Sequence, residues 1–185
     1  MTAVHRYFID FEFAENGETI KPISFACVPE HRYGEDPDPD FYCVFSDGWR
    51  PEDCNDFVQK HVLPQLRADH TNTVPRQFAA SYLESVLLDA ANRHGAKLEF
   101  WGYYCAYDWV ALAQLFGEMI SLPTGFPQHC MDLKQEMERL GLTRSDLPAQ
   151  DTGNHNALHD AMWVREAFRM LQDRYYPEPP AKELR

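Results

Sequence analysis

Two carboxylates, Asp10 and Glu12, stand two residues apart in the apolar stretch HRYFIDFEF, which spans residues 5–13. The aromatic and β-branched residues of this stretch predict a strand, in which successive side chains alternate between faces. Asp10 and Glu12 therefore share a face, where like charges repel and their removal from water is costly. A half-exposed strand with a polar outer face would explain the pair, and so would a divalent cation that bridges the two carboxylates.

A third acidic residue, Asp108, lies in YYCAYDWVALAQLFG, after a predicted strand and at the start of a predicted helix. A carboxylate at this position can cap the helix, because the free N–H groups and the helix dipole favour negative charge. The same position is also the C-terminal edge of a strand, where open α/β sheets bind their ligands. Both interpretations of Asp108 stay open at this point.

The final predicted helix, from Ala157 to about Arg174, carries a fourth carboxylate. Asp160 borders the apolar stripe of this helix, which is an expensive place for a carboxylate without a partner. His155 stands five residues earlier, where a histidine can also serve simply as a helix cap. His159 points about 100° away from Asp160 around the helix, so His155 is the favoured partner.

The rest of the sequence predicts the elements that must position these residues. Three strands come first, joined by turn signals such as Asn16-Gly17, and they predict an antiparallel meander. Helices then alternate with two further strands, KLEFWGYY and a short segment around HCMDL. Gly153 and Asn154 are expected to end a loop and cap the last helix. This order predicts an α/β fold with a mixed five-stranded sheet, three antiparallel strands and then parallel strands, flanked by helices.

The composition is that of a globular protein, with 185 residues of which 44% are apolar and 14% aromatic. A single domain is expected over residues 1–175, followed by a frayed, Pro-rich and charged tail at 176–185. No apolar run approaches the length that spans a bilayer, and the N-terminal segment has no signal-peptide pattern. A soluble cytoplasmic protein is therefore expected, with no membrane partner.

The five cysteines are odd in number and form no CxxC pair. Reduced and mostly buried thiols are therefore expected, and a zinc site is not.

The formal net charge of −12 argues against a protein that grips nucleic acid by general electrostatics, because neutralising phosphates requires a basic surface. It does not exclude an enzyme that holds a few nucleotides through metal ions, since clustered acidic ligands themselves add negative charge.

The acidic residues and the histidine occur in a recognisable order: a DxE pair on a strand, an Asp opening a later helix, and H-x4-D at the last helix. This order and spacing resemble the DEDD exonuclease superfamily in its histidine-bearing (DEDDh) branch, whose fold is RNase H-like. The resemblance spans nearly the whole chain and places Asp10 and Glu12 in the first motif, Asp108 in the second, and His155 and Asp160 in the third. The short chain and the segments DFEF and YDWVALAQLFG resemble most the RNase AS group of small bacterial adenylate-preferring exoribonucleases.

The resemblance implies a metal-dependent 3′–5′ exoribonuclease that releases nucleoside 5′-monophosphates from the 3′ end of single-stranded RNA. Two Mg²⁺ or Mn²⁺ ions would flank the scissile phosphate, bridged by Asp10 and held also by Glu12 and Asp160, with Asp108 acting through water. Carboxylates without thiolates suit such hard ions. His155 would be the general base, and a homodimer is expected because several members of this branch are dimeric.

Two aromatic residues, Tyr104 and Phe13, are expected to affect contacts with the substrate. Members of the family often carry Asn four residues before the second-motif Asp, and this chain has Tyr104 there, which affects substrate contacts and not metal binding. Phe13 is the candidate for contact with the terminal base, because aromatic rings stack on bases. Strand alternation, however, puts Phe13 on the face opposite Glu12 unless the strand ends or bends there.

Alternatives to the exoribonuclease remain. The same chemistry could act on single-stranded DNA or on very short oligonucleotides, because contacts with a 2′-OH are set by geometry. A catalytically silent nucleotide-binding or scaffold module is a further alternative, although it would not need a costly acidic cluster. Trp49, Trp101 and Tyr103 could line a dimer interface, and core packing would explain them equally well.

Overall fold

The computed structural model describes residues 3–30, 39–66, 72–150 and 154–176, so most of the predicted tail at 176–185 and Gly153 lie outside the described residues. Six strands form one mixed sheet within the described residues. They are β1 (Val4–Glu15), β2 (Ile20–Pro29), β3 (Phe41–Phe45), β4 (Thr73–Val74), β5 (Lys97–Gly102) and β6 (Met131–Asp132). Their order across the sheet is β4-β3-β2-β1-β5-β6. The β1–β2 and β2–β3 pairs are antiparallel, and the β1–β5 and β5–β6 pairs are parallel.

The predicted mixed α/β architecture is confirmed, with a correction to the number of strands. The sequence predicted five strands, and the structure adds β4, which pairs in parallel with the end of β3. Two residues are too few to produce an alternating pattern, and Pro75 directly after them is typical of a break. The sequence pattern therefore carried no signal for this edge strand.

Helices cover both faces of the sheet. They are α1 (Arg76–His94), α2 (Ala106–Leu115), α3 (Leu133–Arg139) and α4 (Ala157–Tyr175). Alternation along β1 places Tyr7, Ile9 and Phe11 in the core with α1 and α2, whereas Phe8 packs in the core with α3 and α4. By the same alternation, Asp10 and Glu12 lie on the face of β1 that carries Phe8. The central strand therefore directs both carboxylates toward α4.

The apolar residues considered for an interface lie in packed positions. Trp101 is buried in the core that α4 covers. The indole N–H of Trp49 donates to the carbonyl of Phe45 at 2.8 Å, and the ring of Tyr103 meets that of Trp163 edge-on at 5.1 Å. Core packing therefore accounts for these three side chains.

All five cysteines are free thiols, of which four are buried and Cys130 is partly buried, as predicted. Across the described ranges, no helix combines the length and the apolar character needed to cross a membrane.

The chain turns sharply between β5 and α2, and Gly102 makes this turn possible. A Cβ atom at Gly102 would lie 2.5 Å from the Cβ of Cys105 and 3.3 Å from the carbonyl oxygen of Ile9. Only a residue without a side chain fits this close approach of β5 to β1 and to the start of α2. The turn carries Asp108 to the edge of β1.

We expect Gly102→Ala to lower the free energy of unfolding by about 1–3 kcal/mol, because the added methyl overpacks backbone that has little room to move. Urea denaturation of the purified variant measures this change. Gly17→Ala is the matched control: its φ is +83°, with no atom within 4 Å of the added Cβ. It should cost only local backbone strain of about 1 kcal/mol. A Gly102→Ala variant as stable as the wild type would contradict this account of the turn.

Candidate active site

β1 places two carboxylates and one aromatic ring along the same cleft. Asp10 and Glu12 pair across the ladder with Ala26 and Ser24 of β2, whose small side chains leave space beside the carboxylates. The register shifts between Glu12 and Phe13, which marks a β-bulge or a similar irregularity. The extra residue of this irregularity, Ile23, lies in β2, so the alternation along β1 continues past Glu12. Phe13 accordingly packs against the core cluster that contains Ile9 and Phe11, and it also borders the cleft, so its contact with the terminal base stays a prediction.

Asp108 lies in the first turn of α2 but does not cap that helix through its side chain. Its Oδ1 instead accepts a hydrogen bond from the backbone N–H of Phe11 at 3.1 Å, and Asp108 is only 6% exposed. The capping interpretation was therefore wrong, because the carboxylate turns toward the neighbouring strand. This bond attaches the second motif to the backbone between Asp10 and Glu12.

Asp132, which sequence reasoning missed, holds the turn that precedes Asp108. It is the N-cap of α3, where its carboxylate accepts from the N–H of Lys134 at 2.8 Å. The same carboxylate accepts from the N–H groups of Tyr104 and Cys105, both at 3.2 Å. A capping Asp before a helix was the available signal, but its second role depends on the β5–β6 pairing.

Tyr104 has a positive φ of 58°, which is uncommon for a residue other than glycine. Asn tolerates this left-handed conformation better than Tyr, so the observed φ gives a physical reason for Asn at this place in the family pattern. The Tyr104 side chain is 60% exposed and lines the cleft.

His155 and Asp160 meet at the start of α4. His155 also has a positive φ, of 65°, and this directs its backbone N–H to Oδ2 of Asp160 at 2.9 Å. The predicted association of His155 with Asp160 is thus made by the backbone, while the imidazole lines the cleft. His159 is not among the residues that line it.

The helix cap proposed from the sequence was wrong by two residues. The N-cap of α4 is Asn156, and not Asn154, because the Asn156 side chain accepts from the N–H of His159 at 3.3 Å. Asn156 is buried, and its amide also donates to the carbonyl of Gln65 at 2.8 Å. The predicted start of the helix at Ala157 was correct and already implied Asn156, because the N-cap directly precedes the first helical residue.

All six residues singled out from the sequence line one cleft of about 660 Å³. They are Asp10, Glu12, Phe13, Asp108, His155 and Asp160. The structure therefore brings together residues from β1, α2 and the beginning of α4 that are up to 150 positions apart in the sequence.

The first motif has strongly perturbed acidities. Desolvation raises the pKa of Glu12 to about 8, and the charges of Asp160 and Asp108 add to this effect. Desolvation also raises the pKa of Asp10 well above its ordinary value, with further contributions from the three neighbouring carboxylates. In the absence of a cation, the cluster therefore favours taking up protons.

The carboxylates of the later motifs are shifted in the same direction. Burial raises the pKa of Asp108 to about 7, against the hydrogen bond from Phe11, which lowers it. The charges of Asp132 and Asp160 raise it further. Burial likewise raises the pKa of Asp160, although hydrogen bonds to both of its oxygens oppose the shift.

The donor set fits a hard divalent ion. Ligand oxygens of Asp10, Glu12 and Asp160 all lie within 4.8 Å of one another. Opposite ligands on one Mg²⁺ lie about 4.2 Å apart, so small shifts would bring all three oxygens to a single ion. The raised pKa values give the same indication, because a cation would offset the negative charge that burial makes costly.

The cleft and its immediate surroundings also contain residues that no sequence pattern indicated. The ring of Phe57 meets that of His155 edge-on at 5.0 Å, and His61 lies 6.3 Å from His155. On the other side, Arg144 and Gln150 line the cleft beside Asp160. Phe57, His61 and Arg144 belong to short helical turns and Gln150 to a stretch without a helix or strand, all too short for periodicity to give a signal.

No family model matches the chain, but individual proteins do. The 3′-5′ exoribonuclease Rv2179c of Mycobacterium tuberculosis (strain H37Rv) is 34% identical over 168 residues, which cover 90% of this chain and 92% of the relative. The 3′-5′ exoribonuclease MT2234.1 of strain CDC 1551 gives the same values. The chain belongs to this 3′-5′ exoribonuclease family. The resemblance inferred from the sequence motifs is thereby confirmed.

Solved structures that are similar to this chain support the fold predicted from the sequence. Pop2p of S. pombe, in its Mg²⁺- and Mn²⁺-bound form, has a TM-score of 0.55 at 14% identity, over 93% of this chain and 84% of that chain. E. coli exonuclease I in complex with a dT13 oligonucleotide has a TM-score of 0.59 at 15% identity, over 92% of this chain and 41% of that chain. The RNase H-like fold predicted from the sequence is therefore confirmed.

We expect the metal-free protein to lose stability as the pH rises from about 5 to about 8. The folded-state pKa of Glu12 is about 8, against 4.5 for an ordinary glutamate. Over this interval the folded state keeps a proton that the unfolded chain has released, so the free energy of unfolding falls with rising pH. Thermal melting in EDTA should show a falling Tm, and saturating Mg²⁺ should remove most of the fall.

Asp10→Asn is the matched variant for this experiment, because it removes one charge at nearly constant volume. Its metal-free form should be more stable than the wild type at pH 8 by about 1–2 kcal/mol, since a repelling neighbour is gone. Its stabilisation by Mg²⁺ should be lost. A wild-type Tm in EDTA that stays constant or rises between pH 5 and pH 8 would contradict the repulsion inferred here.

Proposed function

We propose that the protein is a metal-dependent 3′–5′ exoribonuclease that releases nucleoside 5′-monophosphates from the 3′ end of single-stranded RNA. The observation that carries the proposal is the convergence of Asp10, Glu12, Asp108, His155 and Asp160 on one cleft. Membership of the 3′-5′ exoribonuclease family supports it independently.

The four carboxylates would hold two ions, Mg²⁺ or Mn²⁺, that activate the attacking water and stabilise the attacking and leaving oxygens. Asp10, Glu12 and Asp160 would hold the first, as the spacing of their oxygens supports. Asp10 would also hold the second ion, on which Asp108 would act through water. The similar Pop2p structure is a Mg²⁺- and Mn²⁺-bound form, which supports divalent ions in this fold.

His155 would act as the general base by accepting the proton of the attacking water at an imidazole nitrogen. Its ring lines the cleft, and its backbone is attached to Asp160 by the hydrogen bond at 2.9 Å. The contact with Phe57 restricts the ring from one side. These features support a base held at a defined place beside the acidic cluster.

Aromatic rings in the cleft would contact the terminal bases. The rings of Phe13 and Tyr107 stack with centroids 5.8 Å apart and an interplanar angle of 16°, and both side chains line the cleft. Stacking of a base on an aromatic side chain contributes about 1–3 kcal/mol and tolerates any base. The preference for adenylate is proposed from the resemblance to the RNase AS group, since stacking alone does not select a base.

Incubation of the protein with a 5′-labelled single-stranded RNA that ends in adenylates tests the proposal. We expect a ladder that shortens from the 3′ end with Mg²⁺ and not with EDTA. The Asp10→Ala variant should lose the activity, because the ion-binding set is then incomplete. RNAs with other 3′ residues, and a DNA of the same sequence, measure base and sugar preference. Shortening of DNA alone would favour the DNA exonuclease, and no shortening even with Mn²⁺ would favour the silent module.

The two histidines of the third motif provide a matched pair of variants. We expect His155→Ala to lower kcat by about 10²–10⁴-fold, the usual range for loss of a general base. His159→Ala should leave kcat nearly unchanged, because that side chain does not line the cleft. Single-turnover assays at saturating Mg²⁺ measure both. Equal losses in the two variants would contradict the assignment of the base.

Three expectations from the sequence stay predictions: the homodimer, the cytoplasmic location and the single domain over residues 1–175. For the dimer, the structure offers exposed apolar side chains within α2 and beyond its end. Val110, Met119 and Ile120 are 44%, 61% and 89% exposed. These side chains support an interface on that side of the molecule.

A further inference from the structure

The segment that precedes the last motif is attached to α4 by several contacts. Leu147 is buried in the core beneath α4. The carbonyl of Pro148 accepts from the indole N–H of Trp163 at 2.9 Å and from Nη1 of Arg144 at 3.3 Å. The segment is therefore held in one position against the helix that carries Asp160.

Arg144 and Gln150 form a chain of contacts that ends at Asp160. The guanidinium of Arg144 lies 3.5 Å from the centroid of the Trp163 ring, which restricts its orientation. Its Nη2 donates to Oε1 of Gln150 at 3.1 Å. An amide that accepts through its oxygen presents its NH₂ group on the other side. That NH₂ group donates to Oδ1 of Asp160.

Both oxygens of Asp160 are thus held by donors that come from different directions. Gln150 donates to Oδ1, and the backbone N–H of His155 donates to Oδ2 at 2.9 Å. Two donors on opposite oxygens fix the plane of the carboxylate, while each oxygen keeps a lone pair for a further partner. Hydrogen bonds of this kind to metal-binding carboxylates orient them and tune their affinity for the ion.

We propose that Arg144 and Gln150 are positioning residues that orient the Asp160 carboxylate for a divalent ion, with Arg144 acting through Gln150. This inference rests on the proposed function, in which Asp160 holds a metal ion. Neither residue was indicated by the sequence motifs, and neither belongs to the acidic cluster itself.

The competing role for Arg144 is direct contact with an RNA phosphate. It is the one Lys or Arg among the described residues that line the cleft, which makes that role chemically reasonable. The observed contacts favour positioning, because the guanidinium stacks on Trp163 and donates to Pro148 and Gln150. The two roles differ in which measured quantity they affect, namely Mg²⁺ affinity or the KM for RNA.

The test compares Arg144→Ala, Gln150→Ala and the double variant by calorimetric titration with Mg²⁺, with no RNA present. We expect each single variant to bind Mg²⁺ about 10–100-fold more weakly than the wild type, the usual effect of losing a residue that orients a metal ligand. The double variant should be no weaker than Gln150→Ala, because Arg144 acts through the amide. At saturating Mg²⁺, the KM for RNA should stay within about 2-fold of the wild type.

Further variants separate the role of the hydrogen bonds from that of charge and of folding. Arg144→Lys keeps the charge but loses the planar fork, so we expect it to remain weak in Mg²⁺ binding. Arg139→Ala is the matched control: Arg139 is an exposed arginine that hydrogen bonds to Glu136 and lies 5.7 Å from the Tyr176 ring, away from the cleft. It should bind Mg²⁺ as the wild type does. Thermal melting in EDTA verifies that every variant is folded.

The outcomes are distinguishable. Unchanged Mg²⁺ affinity in Arg144→Ala, with a raised KM for RNA and an effect that adds to that of Gln150→Ala, would overturn the positioning role in favour of phosphate contact. Full recovery by Arg144→Lys would also overturn it, because charge alone would then suffice. A wild-type protein that binds neither Mg²⁺ nor Mn²⁺ would overturn the proposed function and this inference with it, whereas a metal-dependent wild type with unaffected variants would overturn this inference alone.

Discussion

Four carboxylates share one cleft, and their mutual repulsion is the constraint on which the rest of the structure depends. Asp10, Glu12, Asp108 and Asp160 come from three parts of the chain and are all partly or fully withdrawn from water. Each has a raised pKa, for which desolvation is the largest cause. Packing alone would favour apolar side chains at these positions. The cluster therefore lowers the stability of the metal-free fold, and the binding of a cation gives a functional reason for this cost.

Backbone amides, more than side chains, hold the later carboxylates in the cluster. Asp108 accepts from the N–H of Phe11, and Asp160 accepts from the N–H of His155. The second bond requires a left-handed backbone at His155, and the turn before Asp108 requires another at Tyr104. Each such conformation costs on the order of 1–2 kcal/mol. The two strained residues lie in the turns that place Asp108 and Asp160 in the cleft. The position of these carboxylates therefore gives a functional reason for the backbone strain.

The sequence predicted what depends on periodicity and failed where the outcome depends on tertiary contacts. Alternation along β1 correctly placed Asp10 and Glu12 on one face. It could not show that Asp108 turns away from its own helix, because the attraction of the Phe11 amide exists only once α2 has docked on β1. The cap of α4, in contrast, could have been predicted, because the expected helix start at Ala157 implies Asn156 as the cap.

Pattern analysis also could not predict the roles of residues in very short or irregular segments. β4 is only two residues long, and Gln150 precedes the last motif in a stretch without a helix or strand. Neither contributes to a repeating apolar pattern, so their roles arise only from the elements against which the fold places them.

The acidic character of the chain has a consequence for the order of binding. A cleft lined by five carboxylates, the four of the cluster and Glu15, with Arg144 as its one described Lys or Arg, repels a phosphate until cations neutralise it. On the proposed function, metal and RNA therefore bind cooperatively, and by linkage each increases the affinity for the other. A net charge of −12 then limits adventitious contact with nucleic acid elsewhere on the surface. On the same proposal, recognition is confined to the few terminal nucleotides that would reach the ions and the aromatic rings beside them.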